Sequence, residues 1–340
     1  MSSKNVKRIC AIDSMYTLLQ YLLLSSIEDV KSTYFFWRKG VSEEVKSFFS
    51  KQSATVPRNF PFFQRLLWYY VIVPLKWPFV LKNNIDRFAC DNLGFEFLFI
   101  RRKKFTLLED GLLSYVPYAF KWKRNRFVKL KKILFGPLFV PKTQVGDSET
   151  CKKIMLTGLK PAPIMDDPRT TANSLVSLWE SSSLDKQSYI KKIFGISNRD
   201  LGAMKECNAV LLTQPFSEDG EITENEKVEL YKKMIANIGD DAKIVIKPHP
   251  RETTDYKKIF PDKICLRTKV PMQMFSFCGV HFRDVYTVCT SAAFDFPYRV
   301  RVFYTGSDIS PKLMKSSPNC TLSELGEIPK NVDFIAWKLD

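Results

Sequence analysis

At 340 residues the chain is too long for one ordinary core and suits two domains, and an apolar fraction of 45 % lets both be filled. Its net charge of +16 points to anionic partners: nucleic acid, anionic lipid, or phosphorylated and carboxylated substrates. Two histidines and eight scattered cysteines without a C-x-x-C pair argue against a zinc site or a disulfide framework, and fit reduced thiols in a cytoplasmic protein.

From the N-terminus, residues 6–13 (VKRICAID) read as a strand and 14–26 as a helix, with Ser14 as its N-cap. A second strand follows at 32–37 (STYFFW), then a helix at 42–52 opening on a Ser-x-x-Glu-like start. No signal peptide is expected. Residues 66–81 (LLWYYVIVPLKWPFVL) fall short of about 20 unbroken apolar residues and contain Pro74, Lys76 and Pro78, so they read as a buried or membrane-grazing helix. Residues 86–92 and 105–110 read as strands of the same sheet, and 152–159 (KKIMLTGL) as its last.

Residues 160–206 turn polar, carry three prolines and one expected helix near SLVSLWESS, and read as the connection between domains. A second alternation follows. Strands are expected at 207–215, 243–248, 263–269, 285–291 and 299–306. Helices are expected at 225–239, ended by Gly239, and at 271–279, with Pro271 in the first turn. Alternating β and α with short connections predicts parallel sheets in both halves: an α/β chain of two Rossmann-like domains, the GT-B architecture.

Three strand ends carry chemistry. KIVIKPHPRE (243–252) runs a buried strand into His249, held between Pro248 and Pro250, each of which fixes its own φ and keeps the preceding residue extended. Lys247, His249 and Arg251 are three donors to an anion such as a nucleotide-sugar phosphate. LLEDGLLSY (107–115) ends a strand with Glu109, Asp110 and Gly111, a positioned acid suited to taking a proton from a sugar hydroxyl. LLTQPFSEDGE (211–221) repeats the theme with Thr213 and Gln214 at the strand end, then Glu218, Asp219 and Gly220. CTSAAFDFPY (289–298) sets Thr290 and Ser291 where a phosphate nest is expected. A plain polar turn is the alternative at each position. Residues 111–146 hold eight basic residues and no acid, a solvated helix face or a contact for an anionic membrane or a phosphorylated glycolipid. No RNP, KH, zinc-finger or helix-turn-helix signature supports nucleic acid, and no D-x-D, Walker or G-x-G-x-x-G motif supports metal-dependent GT-A, ATP or NAD chemistry.

LLEDGLLSY, KKIMLTGL with LWESSS and IFGIS, LLTQPFSEDG, IKPHPRE and CTSAAFDFP together resemble bacterial glycosyltransferase family 52, the lipooligosaccharide sialyltransferase family. The resemblance implies a GT-B fold with an acceptor-side domain over 1–185 and a nucleotide-sugar-binding domain over 186–340. It implies inverting transfer of sialic acid from CMP-sialic acid to a surface glycan (lipooligosaccharide, lipopolysaccharide or capsule). No metal and no cofactor beyond the donor are implied. His249 then serves the leaving phosphate, with Thr213, Gln214, Lys247, Pro248, Arg251, Thr290 and Ser291 around the donor. The base is Asp219 by analogy with the lipooligosaccharide enzymes and Asp110 by analogy with related families; Asp219 leads. Glu109 with Gly111, and Glu218 with Gly220, complete the two acidic motifs. Family members can dimerise, and peripheral contact with the inner face of the cytoplasmic membrane fits the basic charge. Two other readings stay open: transfer of another sugar such as glucose, and a non-catalytic polyanion- or membrane-binding protein.

Overall fold

The computed structural model describes residues 6–56, 64, 67–90, 103–115, 146, 150–158, 162–239, 242–266, 269–325 and 328–339. The chain divides into two compact units, Met1–Ile193 and Phe194–Asp340. The basic stretch at 121–132 lies outside the described residues.

Among the described residues the first unit forms a seven-stranded sheet: β1 (Arg8–Ser14), β2 (Thr33–Gly40), β3 (Ser53–Thr55), β4 (Asp86–Ala89), β5 (Phe105–Leu108), β6 (Cys151–Leu156) and β7 (Thr170–Ala172). Their order across the sheet is β3-β2-β1-β4-β5-β6-β7, and every pairing is parallel. The chain builds outward from β1, then returns to its other side, so the order reverses between β1 and β4. Ser14 caps helix α1 (Met15–Leu24), its hydroxyl accepting the Thr17 amide at 3.2 Å. Ile9, Phe105, Leu107 and Ile154 fill the sheet's core against Phe36, Trp77 and Phe79.

The second unit repeats the plan with β8 (Ala209–Leu212), β9 (Ile244–Lys247), β10 (Ile264–Cys265), β11 (Asp284–Thr287), β12 (Val300–Tyr304) and β13 (Val332–Ala336). The order is β10-β9-β8-β11-β12-β13, again wholly parallel, and it reverses between β8 and β11. β8, β9 and β11 are buried along their whole length, as strands covered on both faces must be. Helix α2 (Glu224–Ile238) starts in a capping box between Thr223 and Glu226 and ends at Gly239, whose φ of +85° suits only glycine.

The stretch 160–206 is more than a connection. It holds β7 and helices at Leu175–Glu180, Leu184–Ile193 and Asn198–Lys205. The helix Leu184–Ile193 runs across the expected boundary at 185/186 and belongs to the first unit. The segment after residue 66 bends through a π-helical turn (Trp68–Ile72), a short α-helix (Val73–Lys76) and a 3-10 turn (Pro78–Leu81). Its Trp68, Val73, Trp77 and Phe79 are buried, while Leu67, Val71, Ile72 and Leu75 are exposed.

Candidate functional site

In parallel sheets the strand ends are free of ladder partners, and ligands collect at the carboxyl edge where the order reverses. In the second unit that edge is built by the residues after β8, β9 and β11. The Thr287 hydroxyl, fully buried, donates to the Leu212 carbonyl at 3.2 Å and accepts the Thr290 amide at 3.2 Å, tying the two strand ends together.

The β9 end is shaped by Glu252, whose side chain has no exposed surface. Its carboxylate accepts the His249 amide at 2.6 Å, the Thr213 hydroxyl at 2.5 Å and the Tyr256 hydroxyl at 2.6 Å. Burial pushes its pKa up against those donors. The result is a closed turn from residue 248 to 252, in which His249 is half-buried. The Arg251 amide donates to His249 Nδ1 at 3.2 Å, which assigns the proton of the neutral ring to Nε2. Burial, with the Arg251 and Lys247 cations close by, brings the imidazole down to about 4 against the pull of Asp219 and Glu218. At neutral pH His249 is therefore an uncharged ring whose Nε2–H is a hydrogen-bond donor.

The acidic loop after β8 is bolted to this turn. Glu218 accepts the Thr253 amide at 2.7 Å and the Lys227 ammonium at 2.8 Å. Its partial burial raises the pKa, but those donors outweigh the effect and hold it at about 2. Asp219 takes a charge-assisted bond from Arg251, which is itself exposed. Gly220, at φ +75°, closes the turn with its amide on the Ser217 carbonyl at 3.0 Å. Asp219, Arg251 and His249 thus come together at one edge.

Glu218, expected to complete the acidic motif with Gly220, is a held, strongly acidic group. The Thr213 hydroxyl is committed to Glu252, and the Gln214 backbone N–H donates to the Tyr231 hydroxyl at 2.7 Å. Lys247 is 6 % exposed, and its ammonium donates to the Pro248 carbonyl at 3.1 Å; burial brings it down to about 8. Lys247 and Pro248 hold the turn, leaving Arg251 as the exposed cation. Thr290 accepts the Ala292 amide at 3.3 Å and so caps the short 3-10 turn Ser291–Phe294.

The first unit separates its two acids. Glu109, expected as a positioned acid at the strand end, is fully buried. It accepts the Tyr16 hydroxyl at 2.9 Å, the Tyr115 hydroxyl at 2.7 Å and the Thr157 amide at 2.5 Å, and burial raises its pKa. It is a fastener between α1, β5 and β6. Asp110 is only half-buried, its amide held by the Ser114 hydroxyl at 2.8 Å. Gly111, at φ +60°, makes the turn that separates their environments.

Sequence reasoning missed Lys227. It is fully buried on the inner stripe of α2 with Tyr231 and Met234, and its ammonium reaches Glu218 (2.8 Å), Glu224 (3.1 Å) and Glu252 (3.7 Å). A lysine at i with apolar residues at i+4 and i+7 was the readable signal. Lys227→Met should strand these carboxylates and destabilise the protein by about 3 kcal/mol, read as a lower denaturant midpoint. His249 also sets a pH dependence. Its folded pKa lies below its usual 6.5, so its share of stability is complete above pH 6.5 and is lost as pH falls toward about 4. The stability loss over that window should be shallower in His249→Asn, by at most about 1.4 kcal/mol per pH unit.

Among the described residues no group of three His, Cys, Asp or Glu is placed to hold a metal. A model of glycosyltransferase family 52 matches residues 23–312. An uncharacterized protein of Haemophilus influenzae is 32 % identical over 248 residues, covering 71 % of this chain and 76 % of that protein. The fold is similar to that of an α/β-galactoside α-2,3-sialyltransferase of Photobacterium phosphoreum (TM-score 0.56, 11 % identity, 96 % of this chain and 97 % of that one). It is also similar to a 2,6-sialyltransferase of Photobacterium sp. JT-ISH-224, solved in a ternary complex with CMP and lactose (TM-score 0.57, 11 % identity, 96 % of this chain and 78 % of that one). At such identities the structural likeness establishes the two-unit parallel α/β fold of GT-B enzymes. The family match spans most of the sequence, and it places this chain in glycosyltransferase family 52.

Proposed function

We propose that this glycosyltransferase moves sialic acid from CMP-sialic acid to a surface glycan such as lipooligosaccharide, lipopolysaccharide or capsule, with inversion and without a metal. Family membership and a fold shared with sialyltransferases support the reading. The observation that carries it is the neutral, proline-framed His249 beside Arg251 and Asp219 on the carboxyl edge of the second sheet.

In this reaction the acceptor oxygen attacks the anomeric carbon while CMP leaves from the opposite face through an oxocarbenium-like transition state. His249 Nε2–H donates to the departing phosphate, and Arg251 offsets its charge. Asp219 takes the acceptor proton; for that, Arg251 must turn from Asp219 to the phosphate, which couples donor binding to release of the base. Asp110 is the alternative base. Purified protein offered a panel of nucleotide-sugars with a galactoside acceptor should release CMP from CMP-sialic acid. Turnover of UDP-sugars alone would overturn the donor assignment, and salt-sensitive polyanion binding without any turnover would overturn the enzymatic one.

We also propose peripheral contact with the inner face of the cytoplasmic membrane. Among the described residues no helix is long and apolar enough to cross a membrane. The exposed Leu67, Val71, Ile72 and Leu75 follow one another around consecutive turns, with the exposed Lys76 and Lys82 nearby, a pattern suited to shallow insertion beside anionic headgroups. Leu75→Asp should weaken binding to phosphatidylglycerol vesicles about tenfold and leave turnover of a soluble acceptor unchanged. Unaltered vesicle binding would remove this surface from the account.

A further inference from the structure

Two cysteines distant in sequence meet beside the β11 edge. Cys289 immediately precedes Thr290, and Cys320 closes the 3-10 turn Pro318–Cys320. Both are half-buried, and each thiol acts on the other's titration, so the two lie close together.

The surrounding backbone holds them in place. The Gly306 amide donates to the Val288 carbonyl at 2.9 Å, next to Cys289. The Tyr304 hydroxyl donates to the Cys320 carbonyl at 3.2 Å, and the Cys320 amide donates to the Ser317 carbonyl at 3.1 Å. A side chain on Gly306 would come within 3.3 Å of the Cys320 carbonyl oxygen, so the close approach of the two segments depends on that glycine. The titratable groups facing the pair are Glu221, Tyr304 and, for Cys289, Tyr231. Their mutual interaction draws Cys320 down and pushes Cys289 up, so Cys320 is the more readily ionised of the two thiols. A thiolate beside a second thiol is the arrangement of a reacting cysteine and its resolving partner.

We propose that Cys289 and Cys320 form a dithiol modification site for small-molecule disulfides, and that closing it into an internal disulfide weakens binding of the donor nucleotide. The Cys320 thiolate attacks one sulfur of the small disulfide, forming a mixed disulfide and expelling one thiolate, which takes up a proton. Cys289 then loses its proton and attacks the Cys320 sulfur, expelling the second small thiol. The two protein thiols are oxidised, and the small disulfide is reduced to two thiols. Closing the bond draws the sulfurs to about 2.05 Å and pulls Cys289 toward Cys320. Thr290 moves with it and strains the bonds its amide and hydroxyl make with Thr287 and Ala292. The effect on the donor rests on the proposed donor site; the thiol chemistry does not. In a reducing compartment such a disulfide is transient, as a sensor requires.

The test treats the full chain with glutathione disulfide and reads intact mass, disulfide-linked peptides and CMP affinity by calorimetry. The expected result is a peptide linking Cys289 to Cys320 and CMP binding about tenfold weaker, both reversed by dithiothreitol. Cys289→Ser should trap a glutathione adduct on Cys320, and Cys320→Ser should leave Cys289 unmodified. Absence of both the linked peptide and the trapped adduct would overturn the site. A linked peptide with unchanged CMP affinity would overturn its control of the donor. Reduced protein that ignores CMP would instead count against the donor reading, while the mass readout still judged the dithiol.

Discussion

Replacing His249 with alanine should slow turnover about 100- to 1,000-fold while CMP affinity changes little. The split follows from the ring's charge. An imidazole brought down to about 4 carries no net charge at neutral pH, so it adds little ground-state attraction for a phosphate. Its Nε2–H matters as the phosphate gains charge on leaving. The ring is held by Pro248, Pro250 and the bond from the Arg251 amide to Nδ1, so little reorganisation is needed at that moment. His249→Asn should recover part of the loss, since an amide N–H can donate from a similar position. Equal losses in CMP affinity and turnover would make His249 a binding group only, and normal turnover would remove it from the mechanism.

Asp219→Asn should lower turnover about 100- to 10,000-fold, and Asp110→Asn should cost much less. Both side chains sit after strand ends on glycine-closed turns, and their near neighbours differ. Glu109 is held by Tyr16, Tyr115 and Thr157, and Glu218 by Thr253 and Lys227, and in each motif the second acid is the more exposed one. Asp219 leads because it shares Arg251 with the His249 turn. Rates measured for both variants at saturating donor, over a series of acceptor concentrations, decide the matter. The reverse order of effects would move the base to Asp110.

Much of this fold was legible because parallel strands covered on both faces must be apolar. AVLL, IVIK and FTLL announce β8, β9 and β5 by composition alone. The two edge strands of the first sheet were not legible for the same reason. Ser53–Thr55 and Thr170–Ala172 are three residues each, with little apolar surface to bury, and the partner strand makes them strands. The helices after residue 180 were lost in a polar run because they bury only narrow stripes such as Ile190 with Ile193 and Leu201 with Met204.

The site divides in the same way. His249 and Arg251 stood out through proline spacing and charge, which are local. The fate of Glu109, Glu218 and Glu252 was hidden, because each is fixed by donors from separate segments of the chain. Glu252 alone draws on Thr213, Tyr256 and Lys227. Spacing identifies an acid near a strand end, but whether that acid is free for chemistry depends on what folds against it.

The scarcity of histidine lets the His249 ring be read on its own, since the chain has only two. Nitrogen-15 NMR of histidine-labelled protein reads both rings, and His281, packed on Tyr298 with ring centroids 4.6 Å apart, serves as the internal reference. The expected result is a neutral His249 with its proton on Nε2, whose Nε2 resonance moves and whose pKa rises from about 4 when CMP binds, while the His281 signals stay in place. A His249 ring that saturating CMP leaves untouched would contradict it.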